Sequence, residues 1–436
     1  MIYRRATISF TTLLVAVSAS LLLSITPASA DKPTRLHIVN PAALNAVIDR
    51  YVDDKVYPFL YVRLEERDGH VIHEHAAVNE ALMGDLKVDG DSWIRIWSMS
   101  KLVTISVVLD LVEDGVLALS DRVVDYIPEF DGLEVAVSAA GSDLSRLEDK
   151  TGACPLTTVP VQFGMTVLDL INHRAGFYYP TTGIDCLDAP LAAADLPSAK
   201  DSADLIARLA RLPLINQPGT THFYGTGTTV LGLVAERASG KSLRDLVAER
   251  ITGPLGIEGL RYGLPATERL APRFTGKSGA VEPLFDEDRL IFGLNLPDYD
   301  PDHALYLGGE GMLATANGYA DFARMLLQRG ELNGYRLLEA DTVADMVAPH
   351  TQLDSPYGHN GYNFWVSNGR YASEARGPAP LWVGGGYEGT YFWVDPENDF
   401  VGVIMTQIFQ VPEQGWRRDE TILKAVYEQL DKSGRE

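Results

Sequence analysis

Hydrophobic and polar residues alternate in short runs near both ends of the chain. Near the start, residues 59–64 and 71–78 alternate on either side of a turn-like segment, a pattern typical of a β-hairpin. A third alternating run covers residues 93–97, and two more cover residues 391–394 and 400–408. We therefore expect strands from both ends of the chain to share one sheet.

Apolar residues recur at helical spacing elsewhere in the chain. A strongly apolar helical stretch covers residues 102–119, and the last helix carries one apolar stripe, Ile422, Leu423, Val426, Tyr427 and Leu430. The other predicted helices lie near residues 41–53, 166–173, 202–212, 226–238, 241–250 and 318–328.

Together these elements predict an α/β fold of the α+β type. An antiparallel sheet formed by residues 31–97 and 301–436 would be flanked by helices. A mainly helical region, residues 98–300, would be inserted between the two parts of the sheet.

The first thirty residues have the features of a signal peptide rather than of a folded element. Arg4 and Arg5 precede an apolar run at residues 13–23, and Ala28-Ser29-Ala30 matches a cleavage signal. A membrane anchor is the alternative, but the run is short and interrupted by serines. We expect export to a periplasmic or extracellular location, with no membrane span after cleavage.

Composition narrows the possible partners. The 436 residues carry 59 acidic against 37 basic side chains, a formal charge of −22, and no basic block, which argues against nucleic acid and anionic membranes. Small neutral or cationic molecules remain open as ligands. Cys154 and Cys186 could form a disulfide in an oxidising compartment, and two unpaired thiols are the alternative.

Ser98-Met99-Ser100-Lys101 is the most informative short motif. The spacing places Ser98 and Lys101 on one helix face, at the start of the long apolar helix. Burial of Lys101 would favour a neutral amine that accepts the serine proton. The motif alone is weak, because Ser29-Ala30-Asp31-Lys32 also matches it. A capping serine followed by a surface lysine is the alternative.

Longer runs around this motif resemble the serine β-lactamase and penicillin-binding-protein superfamily. The similar stretches, in chain order, are residues 94–130, 165–176, 218–224, 307–312 and 389–396. They most resemble the branch of class C β-lactamases, D-aminopeptidases, D-alanyl-D-alanine carboxypeptidases and β-lactamase-like esterases. The resemblance covers nearly all of the chain after residue 30 and implies a β-lactamase/transpeptidase-like fold.

The resemblance implies a catalytic tyrosine in a second motif. Ser98 and Lys101 match the first motif, and Tyr224-Gly225-Thr226 matches the second, Tyr-x-Asn, except that Thr226 replaces asparagine. Tyr224 would relay a proton to the leaving group, whereas a core aromatic is the alternative. In the family the asparagine helps to bind the amide side chain of the substrate. Its loss at Thr226 counts against β-lactam or peptide hydrolysis.

This sequence departs most from the family at the third motif, which is Lys/His/Trp-x-Gly in the family. One alignment places Gly384, Gly385 and Gly386 there, and a register two residues earlier gives Trp382-Val383-Gly384. The glycines would let substrate lie against an edge strand, although a bulge or tight strand pairing is the alternative. Family geometry implies an oxyanion hole at the backbone N–H groups of Ser98 and Tyr387.

Both registers lack the cationic side chain that normally attracts a substrate carboxylate. Penicillins and D-Ala-D-Ala peptides are therefore disfavoured as substrates. Arg370, Arg376 or His359 could compensate from elsewhere in the chain.

The remaining histidines suggest structural roles first. His73-Glu74-His75 lacks the second histidine of a zinc-protease motif, so no metal is expected. His173 is expected to tie a helix to a loop, and His222 is a weaker candidate for lining the cleft.

These observations predict an exported serine hydrolase that acts on carboxylic esters of small acids through an acyl-enzyme. Its partner would be a small-molecule ester or amide, and neither metal nor organic cofactor is required. One alternative is a β-lactamase, D-alanyl-D-alanine carboxypeptidase or D-aminopeptidase with the same Ser-Lys-Tyr centre. The other is a non-catalytic binding protein with a degenerate site. Oligomeric state stays open.

Overall fold

The computed structural model describes residues 35–150, 153–285, 294–353, 358–367, 379–415 and 417–431. The expected signal peptide, residues 1–30, and the candidate anchors Arg370 and Arg376 lie outside the described residues. In the described part, every helix is too short or too polar to cross a bilayer.

One eight-stranded antiparallel sheet forms the centre of the fold. From one edge to the other its strands are Thr351–Gln352, His359–Asn360, Trp365–Ser367, Leu381–Gly385, Tyr391–Asp395, Phe400–Met405, Phe59–Glu66 and Val71–Val78. The two ends of the chain meet inside this sheet, where Val403 is paired with Arg63. The predicted α+β fold with an antiparallel sheet built from both chain ends is confirmed.

Helices cover both faces of the sheet, which explains why its central strands are buried on both sides. On one face, Pro41–Asp53 packs against Arg418–Gln429 and against the hairpin strands. On the other, Ala316–Leu327 lies across Tyr391–Asp395 and Phe400–Met405.

The helix that follows Ser98 is Ser100–Glu113, here called the nucleophile helix. Nearly all its side chains are buried, and it packs against Gly227–Ser239. The sequence pattern extended this helix to residue 119. It ends earlier because Gly115 adopts a positive φ of 70°, the left-handed conformation that commonly terminates helices.

Two strand predictions need correction. The alternating run at residues 93–97 forms only the short strand Ile94–Arg95, which pairs with Leu313–Ala314. Trp97 has a positive φ of 47°, which ends the extended conformation before Ser98. The run at residues 400–408 is also divided, and its last part, Ile408–Phe409, pairs in parallel with Arg273–Thr275.

The region between residues 98 and 300 is mainly helical but contains an unpredicted hairpin, Glu134–Ser138 with Leu156–Pro160. Its α-helices, besides the nucleophile helix and Gly227–Ser239, are Val123–Tyr126, Val167–Ile171, Asp185–Ala194, Ser202–Leu209, Leu243–Leu246 and Gly253–Leu255. The helix predicted near 241–250 continues as the π-helix Val247–Thr252.

The remaining short elements connect these parts. Glu80–Met83 and Ala340–Met346 are helical, and Trp97–Met99, Pro128–Phe130, Leu144–Arg146, Leu196–Ser198 and Glu413–Gly415 are 3₁₀ turns. The small strands are His37–Ile38, Leu260–Arg261, Glu282–Leu284, Glu331–Leu332, Tyr335–Arg336 and Leu430–Asp431.

Candidate active site

The structure brings together Ser98, Lys101 and Tyr224. Ser98 lies in the 3₁₀ turn that leads into the nucleophile helix, and Lys101 lies in the first turn of that helix. Lys101 Nζ is 3.2 Å from Ser98 Oγ, and the Tyr224 hydroxyl lies 2.8 Å from the same oxygen. Two groups able to carry a proton therefore contact one potential nucleophile.

Three oxygens surround the amine of Lys101, which is completely buried. Besides Ser98 Oγ, they are the Gly309 carbonyl at 2.8 Å and the Tyr179 hydroxyl at 3.0 Å. A neutral amine has two N–H donors and one lone pair. It can donate to Gly309 and Tyr179 while accepting the Ser98 hydroxyl proton, so the arrangement suits a general base.

Tyr224 reaches Ser98 because its loop packs closely against a neighbouring segment. A Cβ atom on Gly225 would lie 2.2 Å from the Phe177 carbonyl oxygen, so only glycine permits this approach. Tyr224 remains 36% exposed, in contrast to the buried Lys101. The phenol thus faces the open side of the site, where a leaving group would need a proton.

Tyr179 and Glu310 belong to the same cluster, and sequence reasoning missed both. Glu310 Oε2 accepts from Thr229 Oγ1 at 3.0 Å and from the Tyr179 hydroxyl at 3.5 Å. Burial raises the pKa of Glu310, and the charge of Lys101 opposes that shift. Burial, reinforced by Glu310, raises the pKa of Tyr179 well above 10. A carboxylate inside the glycine-rich run at 307–312 was the available signal.

The glycines of the third motif lie beside the serine. Gly384 and Gly385 end the strand Leu381–Gly385, and a Cβ on Gly386 would lie 2.4 Å from the carbonyl oxygen of Ile96. This contact favours the register that places Gly384–Gly386 at the third motif. Trp382, from the other register, instead lies near Phe364, with ring centroids 6.1 Å apart. The alternative of tight strand packing holds at Gly384 as well, since a Cβ atom there would meet the ring of Phe392.

Thr226, proposed to contact substrate, lies inside the protein. It is 3% exposed and its hydroxyl faces the Tyr178 carbonyl at 3.5 Å. This burial favours a structural role for Thr226. His359, considered as a replacement anchor for a carboxylate, pairs through Nε2 with the Val347 carbonyl at 2.9 Å.

His173 connects the segment after Val167–Ile171 to a distant loop, as expected. Its Nε2 lies 3.0 Å from Asn363 Oδ1, and its ring centroid is 4.6 Å from that of Tyr224. Burial lowers the pKa of His173 to about 3, so the ring is neutral near pH 7. His222 lies 3.3 Å from Asn360 Nδ2 and lines, with Tyr224, a cavity of about 180 Å³.

The other candidate polar residues form local contacts. His73 Nε2 lies 2.9 Å from Asn45, and His75 Nε2 lies 2.6 Å from Asp49. Across the described ranges, His, Cys, Asp and Glu side chains nowhere group in threes around a possible metal position. Cys154 and Cys186 are joined by a disulfide, remote in sequence from the reactive motifs.

A family model described as Beta-lactamase matches residues 45–427. The chain belongs to the beta-lactamase family. The resemblance to the serine β-lactamase and penicillin-binding-protein superfamily is thereby confirmed, and members of this family are serine hydrolases or acyltransferases.

Two curated relatives illustrate the range of the family. Protein Rv1367c of Mycobacterium tuberculosis is 30% identical over 336 residues, covering 73% of this chain and 78% of the relative. Lovastatin esterase of Penicillium rubens is 25% identical over 299 residues, covering 67% of this chain and 69% of the relative.

Two solved structures share the fold. Unliganded simvastatin synthase (LovD) from Aspergillus terreus has a TM-score of 0.70 at 19% identity, covering 89% of this chain and 98% of that one. EstCE1, a hydrolase with promiscuous acyltransferase activity, has a TM-score of 0.69 at 20% identity, covering 88% and 97%.

Proposed function

We propose that this beta-lactamase family protein is an exported serine hydrolase that cleaves neutral carboxylic esters of small acids. The observation that carries the proposal is the contact of both Lys101 and Tyr224 with Ser98 Oγ, at 3.2 Å and 2.8 Å. The names of relatives are consistent with ester chemistry, since one is an esterase and others are acyltransferases.

In the proposed first step, Ser98 Oγ attacks the ester carbonyl while Lys101 takes the hydroxyl proton. A Ser98 Oγ–carbon bond forms, and the carbonyl electron pair moves to oxygen. When the tetrahedral intermediate collapses, the bond to the alkoxide breaks and Tyr224 delivers a proton to that oxygen, with Lys101 replenishing it. Water then repeats the sequence on the acyl-enzyme, releasing the acid and restoring the Ser98 hydroxyl.

The charges around the site support a neutral substrate. The cationic side chain of the third motif is replaced by Gly384, while the carboxyl group of Glu310 lies near Lys101. The glycine makes the site less positive than the family pattern, and the carboxyl group of Glu310 does not restore that charge. The chain as a whole carries a formal charge of −22, which also repels anionic substrates.

The substrate class is tested by comparing three substrates on one enzyme preparation. We expect p-nitrophenyl butyrate to have a kcat/KM at least about tenfold above those of nitrocefin and a D-Ala-D-Ala peptide. A preference for nitrocefin or the peptide would instead support the β-lactamase or peptidase alternative. Adding a simple alcohol to the butyrate assay measures how far acyl transfer competes with water.

The covalent step is tested separately by intact mass after incubation with a fluorophosphonate. The expected result is one adduct on the wild type and none on S98A, with no change for the neighbouring substitution S100A. An unlabelled wild-type protein would favour the non-catalytic binding protein.

Export is proposed from the pattern in residues 1–30 and agrees with the Cys154–Cys186 disulfide. The mass of the protein recovered from the extracytoplasmic fraction tests it. We expect a chain that begins after Ala30, whereas an uncut chain retained in the cell would contradict export.

A further inference from the structure

A buried carboxylate connects the two backbone segments that flank the proposed oxyanion hole. Glu388 directly follows Tyr387, and Trp97 directly precedes Ser98. The indole Nε1 of Trp97 donates to Glu388 Oε2 at 2.9 Å. The bond thus joins residues that are 291 positions apart in the chain but adjacent to the two expected oxyanion donors.

Other side chains fix the carboxylate of Glu388. Arg273 donates to Oε1 through Nε at 2.8 Å and also through Nη2, and both side chains are completely buried. Gln407 Nε2 donates to Oε2 at 2.6 Å. Both carboxylate oxygens are therefore occupied by N–H donors, which restricts rotation of the group.

The backbone around Glu388 is anchored in the same way. Its carbonyl accepts from the Ile408 N–H at 2.9 Å, and the Phe274 N–H donates to the Gln407 carbonyl at 3.2 Å. The parallel pairing of Ile408–Phe409 with Arg273–Thr275 therefore brings the guanidinium to the carboxylate. The backbone pairing of this small sheet therefore positions the Arg273–Glu388 ion pair inside the protein.

Trp97 is held in an unusual conformation at the other end of the bond. Its φ of 47° is rare for a bulky residue, and such conformations persist where surrounding contacts fix them. The ring lies edge-on to Tyr387, with centroids 6.0 Å apart, and its N–H is used by Glu388. The segment carrying Tyr387 therefore supplies two of the contacts that hold Trp97, and Leu294 packs against the same ring.

We propose that Glu388 and Trp97 are positioning residues that set the spacing between the backbone N–H groups of Ser98 and Tyr387. This inference rests on the proposed function, because these N–H groups matter only if an oxyanion forms. Such donors act well only when fixed at hydrogen-bond distance from the developing charge. Arg273 balances the charge of Glu388, so the carboxylate orients the site without opposing the oxyanion.

The experiment removes the indole N–H and measures an effect specific to the oxyanion. W97F keeps an aromatic ring but has no donor for Glu388. We expect kcat for p-nitrophenyl butyrate to fall about 10- to 100-fold, less than the roughly 10²–10³-fold cost of removing a donor outright, with KM changed less than about threefold. The rate ratio of oxo-ester to thiono-ester should fall at least about fivefold, since sulfur already fits the donors poorly.

A matched control exists elsewhere in the chain. Trp93 Nε1 donates to the carboxylate of Glu268, outside the Ser98–Lys101–Tyr224 cluster. W93F removes an equivalent indole–carboxylate bond and should leave both kcat and the oxo-to-thiono ratio within about twofold of wild type. If W97F behaves like W93F, the positioning role is wrong.

A double substitution tests whether Trp97 and Glu388 act through one bond. E388Q and W97F/E388Q are measured beside W97F, and thermal unfolding identifies variants that do not fold. If the two residues act through one bond, the double variant should lose no more activity than whichever single variant loses more. Losses that add up in the double variant would contradict the proposal. If E388Q does not fold, the comparison of W97F with W93F still tests the positioning role.

Failure of the proposed function gives a different result. A wild-type enzyme that turns over nitrocefin but not the butyrate ester would overturn the substrate assignment. The W97F and W93F comparison would then be made on nitrocefin, where a selective fall in the kcat of W97F would still support the positioning role.

Discussion

Two buried glutamates lie near the candidate nucleophile, Glu310 on the side of Lys101 and Glu388 on the side of Trp97, and their surroundings differ. Glu388 receives N–H donors from Trp97, Arg273 and Gln407, and the guanidinium matches its charge. Glu310 receives hydroxyl donors, from Thr229 at 3.0 Å and Tyr179 at 3.5 Å. Its pKa is raised by burial, so the same residue type is held differently on the two sides.

The difference corresponds to what each side of Ser98 must do in the proposed reaction. On the Lys101 side, protons leave and return in each half of the cycle, which requires groups that change charge easily. On the Tyr387 side, donors must stay fixed while charge develops on the substrate. We therefore infer a proton-transferring side around Glu310 and a rigid side around Glu388.

The largest effect is expected from removing the amine on the proton-transferring side. K101M replaces the fully buried lysine with an apolar side chain of similar length. Loss of the general base should lower kcat/KM for p-nitrophenyl butyrate by about 10³-fold, within the usual range for such a group. The exposed Lys241, in K241M, is the matched control and should retain full activity.

Stability separates a catalytic loss from an unfolding effect in K101M. Methionine takes the amine away from the Gly309 carbonyl and the Tyr179 hydroxyl, so urea unfolding must first show that K101M folds cooperatively. If folded K101M keeps more than a tenth of wild-type activity, Tyr224 can accept the Ser98 proton without the Lys101 amine.

A smaller effect, about tenfold on kcat, is expected from E310Q. The variant puts an amide where the carboxyl group accepts from the Thr229 and Tyr179 hydroxyls, so the Tyr179 hydroxyl that contacts Lys101 Nζ is held less firmly. We therefore expect kcat to fall with KM nearly unchanged, because the amine that takes the Ser98 proton is held less firmly. An E310Q enzyme with the kcat of wild type would contradict the assigned role of Glu310.

The stability of E310Q provides an independent check of the same comparison. Because the pKa of Glu310 is raised in the fold, ionisation favours the unfolded state and lowers stability as pH rises above about 4.5. Removing the carboxyl group should therefore leave the free energy of unfolding at pH 7 equal to or above that of wild type. E249Q, at an exposed site, serves as the control.

Sequence patterns predicted the motif residues but not the residues that support them. Ser98, Lys101 and Tyr224 lie in short motifs with fixed spacing, so the resemblance locates them directly. The partnership of Trp97 with Glu388 spans 291 positions and depends on how the chain folds back. No local period or propensity carries that information.

The secondary-structure predictions show the same limit. The hairpin of Phe59–Glu66 with Val71–Val78 was correct because alternation reflects which face of a strand is buried. The predicted strand at 93–97 was wrong at its end because tertiary contacts hold Trp97 at a positive φ. The residue directly before Ser98 is therefore a position where the conformation preferred by the local sequence differs from the observed one.

The smallest expected effect concerns His173, another buried titratable group, which contacts the ring of Tyr224. Burial, opposed by the bond to Asn363 and helped by Lys101 and His222, lowers its pKa to about 3. The unfolded chain takes up this proton near pH 6.5, so wild-type stability should fall as pH drops below that value. H173N cannot titrate, and asparagine tolerates the positive φ of 52° at this position.

The difference in unfolding free energy between wild type and H173N should therefore shift by about 1 kcal/mol between pH 7 and pH 5.5, to the disadvantage of wild type. Urea unfolding at both values measures it, with H70N, at an exposed histidine, as the control. The pH profile of kcat/KM should keep its shape in H173N, because a ring that stays neutral exchanges no proton with Tyr224. A shift of the opposite sign would mean that His173 is charged in the fold, and the proton-transferring side would then extend beyond Lys101 and Glu310.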